Sequence, residues 1–253
     1  MHHFVILAYN EEQNLPRLFT SLQAVATSLG SPYSVVLVND GSTDGTVAVA
    51  EEFQKRMPIH IEHHSPNLGV AQGFRTGFRS ALSMANDGDI IFTLEADNTG
   101  DLVLLSEMMK KIHAGADVVL ASCYAPGGAL RGLSFERKVM SRGINLVMKM
   151  LFPIKHCHTY SSFYRAYRSD VLREAVSRYG DGFIETNGFT VAAEILFKLR
   201  RLGVKMDEIP MVLQYDERKG KSKMKVWRTI MDYISFLVRE VKQEIQFRFG
   251  GLP

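Results

Sequence analysis

Short unbroken apolar runs recur through the first half of this chain, each separated from the next by a segment of helical periodicity. Residues 4–8, 34–38, 90–94 and 118–121 are such runs, and residues 59–63 form a weaker one. Between the first two, Leu15, Leu18, Phe19 and Leu22 fall on one helical side. Pro16 stands near the helix start, and Gly30-Ser31-Pro32 ends it. Further helices are expected from about residue 69 to 85 and from 102 to 114. A strand that is apolar at every position is buried on both faces. Strands of that kind alternating with helices build a mostly parallel, doubly wound α/β sheet. Ligands of such sheets bind at the C-terminal strand edges.

Three loops with unusual chemistry leave that edge. The first strand runs into Ala8-Tyr9-Asn10-Glu11-Glu12, an aromatic able to stack on a base beside a carboxylate able to accept from base or ribose. The second runs into residues 39–46, where Asp40 precedes Gly41 in a turn-rich segment; Ser42 or Thr43 is expected to cap the next helix. The fourth ends in Glu95-Ala96-Asp97. Two carboxylates one residue apart suit Mg²⁺ or Mn²⁺, which take oxygen ligands and are held by one or two carboxylates plus substrate phosphates. Acidic residues also end many strands merely because strands end in solvent, so it is the three loops together that carry the reading. Asn67-Leu68-Gly69 adds a fourth close-approach segment, followed by Arg75 and Arg79 on a helix. Neither G-x-G-x-x-G after the first strand nor G-x-x-x-x-G-K-[ST] is present, so phosphate must be met by metal and basic side chains.

The second half reads differently. A break at residues 125–128 precedes a Met-rich amphipathic helix over 134–151. A strand-like stretch over 159–167, helices near 170–179 and 190–202, and a last strand over 207–214 follow. The chain closes on a helix with Ile230, Ile234, Leu237, Val241 and Ile245 on one stripe, which can dock on the core, pair two subunits as a homodimer or lie on a bilayer. The net charge of +3 gives no case for nucleic acid, but from residue 217 onward nine basic residues face four acidic ones. A basic tail suits phosphate groups or an anionic membrane surface. Cys123 and Cys157 make no disulfide framework and read as reduced thiols of a cytoplasmic protein. His156-Cys157-His158 lacks the paired spacing of a zinc site. No leader precedes the first strand and no apolar run has the length of a membrane span, so any membrane contact is expected to be peripheral.

Taken in order, these segments resemble the family 2 glycosyltransferases of GT-A fold, within them the dolichol-phosphate mannose synthase-like branch. VILAYNEEQNLPRLFTSL, VVLVNDGSTDGT, NLGVAQGFRTGF and GDIIFTLEADNTGD match the family's donor-side segments. FERKVMSRGINLVMKMLF, SSFYRAYRSDVL and RKGKSKM are similar to its acceptor side and basic loop. The resemblance implies one domain over 1–253, with a nucleotide-sugar-binding half (1–122) and an acceptor half (123–253). It implies that Ala8, Tyr9, Glu11, Asp40, Asn67 and Gly69 bind the donor, a GDP- or UDP-sugar. Glu95 and Asp97 would hold Mg²⁺ or Mn²⁺. Arg137 and Ser141 would meet a polyprenyl- or dolichyl-phosphate acceptor, and Arg218 and Lys223 would close over the phosphates. Glu95 stands where the family has an aspartate, and Thr99 where it commonly has glutamine. The implied activity is inverting hexosyl transfer at the cytoplasmic face of a membrane. A hydroxyl acceptor would require a carboxylate base, Asp101 or Glu136. A non-catalytic nucleotide-sugar binder is the alternative outside catalysis.

Overall fold

The computed structural model describes residues 1–217, 219 and 226–250. Its first half winds through β1 (His2–Ala8), α1 (Leu15–Ser28), β2 (Tyr33–Asp40), α2 (Thr46–Gln54), β3 (Ile59–His64), α3 (Val70–Met84), β4 (Ile90–Glu95), α4 (Leu104–His113) and β5 (Val118–Ser122). The second half adds β6 (Ala129–Arg131), α5 (Phe135–Leu151), β7 (Arg165–Arg168), α6 (Ser169–Tyr179), α7 (Val191–Arg201), β8 (Met206–Pro210), β9 (Val212–Gln214) and α8 (Val226–Gly250). Seven strands form one sheet in the order β3-β2-β1-β4-β7-β5-β8. All pairings are parallel except those of β7, which runs antiparallel between β4 and β5. The second half of the chain therefore supplies two strands, β7 and β8, to the sheet of the first half.

Strand alternation divides the core in two. Phe4, Ile6, Val35 and Leu37 point to the layer of α1, α2 and α4; Val5, Val36 and Val38 point to the layer of α3, α6 and α7. The second layer is tight. A methyl group at Gly77 would collide with Val5, so glycine at that turn lets α3 lie directly on β1.

Three sequence expectations need correction. The stretch 159–167 becomes strand only at Arg165, because earlier amides are claimed by side chains. His158 N and Thr159 N donate to Glu208 Oε1 at 2.7 Å each, and Tyr160 N donates to Asn145 Oδ1 at 2.7 Å. The strand over 207–214 is two strands. The ladder on β5 runs as far as Met211, whose N donates to Ser122 O at 2.9 Å, and β9 then pairs with β6 in a separate two-stranded sheet. Neither Ser42 nor Thr43 caps α2; Asp44 Oδ1 accepts from Thr46 N at 3.0 Å. Of the fates open to the α8 stripe, docking on the core is met by Leu237, which packs against it, and not by the rest. Tyr233, Phe236, Glu240 and Glu244 are buried, whereas Ile234, Val241 and Ile245 are exposed. The cause is electrostatic: Arg201 donates to Glu240 Oε2 at 2.8 Å and Arg200 pairs with Glu244, so the acidic stripe is drawn onto α7.

His2 carries a consequence for acid stability. It is 4% exposed beside the Phe92 ring, and burial above all pushes its pKa down from 6.5 to about 4. The unfolded chain therefore binds this proton more readily. The contribution is full above pH 6.5 and is lost as pH falls through about 4, on the order of 3 kcal/mol at most. Urea titrations at pH 7 and pH 4 should show that part of the decline missing from His2→Phe.

Candidate active site

The C-terminal ends of β1, β2 and β4 open into a cavity of about 1390 Å³, bounded opposite by α5, α8 and residues 185–190. Ala8, Tyr9, Glu11, Asp40, Asn67, Gly69, Glu95, Asp97, Arg137 and Ser141 all line it. Ten positions spread over some 130 residues of sequence thus meet in one space. Arg218 and Lys223 lie outside the described residues.

The loops after β1 and β2 are held by local bonds. Asn10 takes a left-handed turn (φ 53°), which asparagine tolerates better than most residues. Its amide donates to Ser42 Oγ at 3.0 Å, and its Oδ1 accepts from Thr43 N at 2.8 Å, tying the first loop to the second. Glu11 is buried, accepting from Asn14 Nδ2 at 2.6 Å. Asn14 also grips the backbone of Lys219: its Oδ1 accepts from Lys219 N and its Nδ2 donates to Lys219 O, both at 3.2 Å. With the Arg17–Glu217 ion pair, this moors the start of the basic segment beside Glu11.

Asp40 binds its own surroundings first. Oδ1 accepts from Leu68 N at 2.8 Å and Oδ2 from Gly69 N at 2.9 Å, while Asn67 Nδ2 donates to the Asp40 carbonyl at 2.8 Å. The Asn67-Leu68-Gly69 turn is thus pinned to the end of β2. Gly41 (φ +71°) makes that approach possible, since a Cβ there would lie 2.6 Å from Asn67 N and 2.9 Å from the Pro66 carbonyl carbon. Backbone cannot yield as a side-chain tip can. Gly41→Ala is expected to lose about 2 kcal/mol of stability and about tenfold in nucleotide affinity, measured by urea unfolding and calorimetry.

At the end of β4, Asp97 is 7% exposed and its Oδ1 accepts from Thr99 Oγ1 at 2.7 Å and Thr99 N at 3.2 Å. Glu95 is exposed. Asn98, also left-handed (φ 61°), donates to Asn14 O at 2.9 Å, linking this loop to the Glu11 corner. Among the described residues no group of three or more His, Cys, Asp or Glu side chains gathers as a metal cage. Two hard oxygen donors on one cavity wall do fit a cation that completes its shell with substrate oxygens and water.

On the wall formed by α5, Ser141 Oγ accepts from Tyr124 Oη at 2.6 Å, which leaves its own proton for a ligand. Arg137 lines the same wall. Beyond them the lining mixes apolar side chains, including Leu133, Met140, Ile144, Phe163, Ile230 and Phe236, with polar ones of α8, Thr229, Asp232, Ser235 and Arg239. Cys123 also reaches the cavity, with burial pushing its thiol up to about 11; Cys157 is in the core, pushed up to about 12.

Sequence reasoning missed residues 185–190 as a cavity wall. Glu194, fully buried, fixes them by accepting from Glu185 N (3.0 Å), Thr186 N (3.0 Å) and Thr186 Oγ1 (2.8 Å). The signal was Glu194 four residues before Lys198 inside an otherwise apolar helix, the spacing of an ion pair. Arg75 belongs to this wall too, donating to Ile184 O at 2.7 Å, while Arg79 is exposed.

This architecture is the GT-A fold. The chain aligns with the structure of glucosyl-3-phosphoglycerate synthase from Mycobacterium tuberculosis in complex with Mn²⁺, UDP and glucosyl-3-phosphoglycerate. The TM-score is 0.61 at 15% identity, covering 100% of this chain and 81% of that one. It also aligns with S. aureus TarS 1–349 in complex with UDP-GlcNAc, TM-score 0.54 at 17% identity, covering 87% and 59%. Residues 3–176 match Glycosyl transferase family 2, and the chain belongs to that family. It is 27% identical over 223 residues to the polyprenol monophosphomannose synthase of Mycolicibacterium smegmatis, covering 87% of this chain and 79% of the relative. It is 28% identical over 257 residues to the dolichol-phosphate mannosyltransferase of Pyrococcus furiosus, covering 98% and 67%.

Proposed function

We propose that this glycosyltransferase moves a hexose, with inversion, from a GDP- or UDP-sugar to a polyprenyl-phosphate-type lipid at the cytoplasmic face of a membrane. The observation that carries this reading is the two-sided cavity. Its acidic side lies on the strand edge, and the side between α5 and α8 carries most of its large apolar side chains, with Arg137 and Ser141 on the wall of α5. A soluble sugar acceptor would have little use for the apolar side.

Tyr9, Glu11 and Asp40 would hold the nucleoside, with Ala8, Asn67 and Gly69 offering close backbone. Glu95 and Asp97 would bind Mg²⁺ or Mn²⁺, which neutralises the charge of the departing diphosphate. Arg137 would pair with the acceptor phosphate and Ser141 would donate its remaining proton to it. A phosphate acceptor is already ionised at neutral pH, so no carboxylate base is required of the chain. The division into a donor half (1–122) and an acceptor half (123–253) follows from this assignment.

Among the described residues no helix is long and apolar enough to cross a membrane. Phe135 (80% exposed), Val139, Leu146 and Met150 on α5 and Ile234, Val238 and Ile245 on α8 present apolar surface to the outside. Arg142 and Lys149 are exposed on the same α5 helix, a composition suited to peripheral contact with anionic lipid. The test is thermal unfolding with GDP, UDP and their sugar conjugates, with and without Mn²⁺, followed by transfer from the stabilising donor to polyprenyl phosphate in anionic vesicles. A metal-dependent rise with one nucleotide class and label recovered in lipid are the expected results. Label appearing only on soluble acceptors, or the chain assembling as a dimer through these faces without vesicle binding, would overturn the lipid reading.

A further inference from the structure

Asp40 is supported from behind by a side chain outside the cavity lining. His64, at the end of β3 and 9% exposed, lies with Nδ1 2.8 Å from Asp40 Oδ1 and Nε2 2.9 Å from Thr76 Oγ1 on α3. A carboxylate only accepts, so Nδ1 carries a proton, and Nε2 shares the second hydrogen bond with the Thr76 hydroxyl, which can give or take it. Leu68 N and Gly69 N fill two more positions on the same carboxylate. Of about four acceptor positions, one remains, on Oδ2. Asp40 therefore has a fixed plane and a single acceptor to offer a ligand. The order Asp-His-Thr is that of a nucleophilic triad, but Thr76 is 4% exposed and does not line the cavity, so its hydroxyl meets no substrate. The relay orients and does not attack.

We propose that His64 is a positioning residue for the donor nucleoside: by locking the Asp40 carboxylate it selects a ligand that presents one N–H or O–H along the Oδ2 direction. This rests on the proposed reading that Asp40 meets the nucleoside. Without His64 the two backbone amides still hold Asp40 near its place, so the fold survives while the plane of the carboxylate loosens.

The experiment is calorimetric binding of GDP and UDP with Mn²⁺, together with transfer kinetics, on the full chain. His64→Phe keeps the ring volume and removes both nitrogens. It should raise the donor KM and nucleotide Kd about tenfold, with kcat within about twofold. His64→Asn, whose amide can still donate to Asp40, should recover most of that loss. In an Asp40→Ala background His64→Phe should add nothing. Equal losses in both backgrounds, or kcat falling with KM and no recovery in His64→Asn, would reduce His64 to packing and overturn the inference. If His64→Phe does not fold, Thr76→Val substitutes for it: a KM rise of about threefold supports the relay and an unchanged KM refutes it. Asp40→Ala binding nucleotide as tightly as wild type would instead overturn the reading of Asp40, and this inference with it.

Discussion

Asp97→Asn is expected to lower sugar transfer roughly 1000-fold or more while leaving the unfolding midpoint within about 3 °C of wild type. The two halves of that expectation have separate physical grounds. Structurally, Asp97 Oδ1 accepts from Thr99 N and Thr99 Oγ1, and the carbonyl oxygen of asparagine can accept both bonds. The loop therefore keeps its shape. Chemically, the substitution removes a full negative charge from the one buried member of the Glu95/Asp97 pair. Cation affinity follows charge, and leaving-group stabilisation follows cation occupancy. Glu95→Gln, at an exposed position, should cost less, on the order of tenfold to a hundredfold, and should be partly recovered by excess Mn²⁺. Asp101→Asn separates the acceptor chemistries. Its Oδ1 accepts from Val103 N at 3.0 Å, a bond asparagine retains, so transfer to a phosphate acceptor should be near wild type. A collapse of activity in Asp101→Asn would point to a hydroxyl acceptor needing a base. Steady-state kinetics with saturating donor and a manganese titration measure all three.

What could be read in the sequence and what could not divides along contact range. β1, β2 and β4 each carry a central run of consecutive apolar residues, the pattern that sheet burial on both faces needs, so the loops after them could be put on one edge from the sequence. The cavity then gathers ten of the twelve named site residues, and the other two lie outside the described residues. One failure is local, Asp44 rather than Ser42 or Thr43 accepting at the start of α2; another is a long-range polar partner overriding local pattern. Residues 159–164 look extended, yet Glu208, some fifty residues on, takes the amides that a ladder would need. The apolar stripe of α8 left core, dimer and bilayer open, and the face turned inward is set by Arg200 and Arg201, which draw Glu240 and Glu244 onto α7. Periodicity weighs hydrophobicity and has no means of counting a pairing between helices forty residues apart. His64 escaped notice for the same reason: its partners Asp40 and Thr76 are 24 and 12 residues away, and neither spacing forms a motif.

Glu194→Met should destabilise the protein by about 3–5 kcal/mol, the second large effect expected, and should weaken substrate binding as well. Glu194 is fully buried and holds five donors at once: Glu185 N, Thr186 N, Thr186 Oγ1, Lys198 Nζ at 3.0 Å and Arg239 Nη2 at 2.9 Å. Removing the carboxylate leaves two backbone amides without acceptors and strips Lys198, itself 2% exposed, of its buried counter-charge. Glu185 still pairs with Lys198 at 3.0 Å, but that carboxylate is far more exposed and is carried on the segment that Glu194 was holding. The damage therefore spreads to the cavity, because residues 185–190 form its wall and Arg239 lines its far end. Glu194→Gln keeps the shape and loses the charge, so it should fall between wild type and Glu194→Met. Combining Glu194→Met with Lys198→Met removes the stranded charge and should recover a large part of the loss in stability, because much of the cost is the unpaired ammonium rather than the pair itself. It should not recover substrate affinity, since Glu185 N and Thr186 N remain unmet and the wall stays loose. A double-mutant cycle in urea unfolding, run beside donor and acceptor KM values, separates the two roles: stability returning without affinity assigns Glu194 to both core and site. Affinity returning in step with stability would mean that the wall is held by the fold at large and not by this carboxylate.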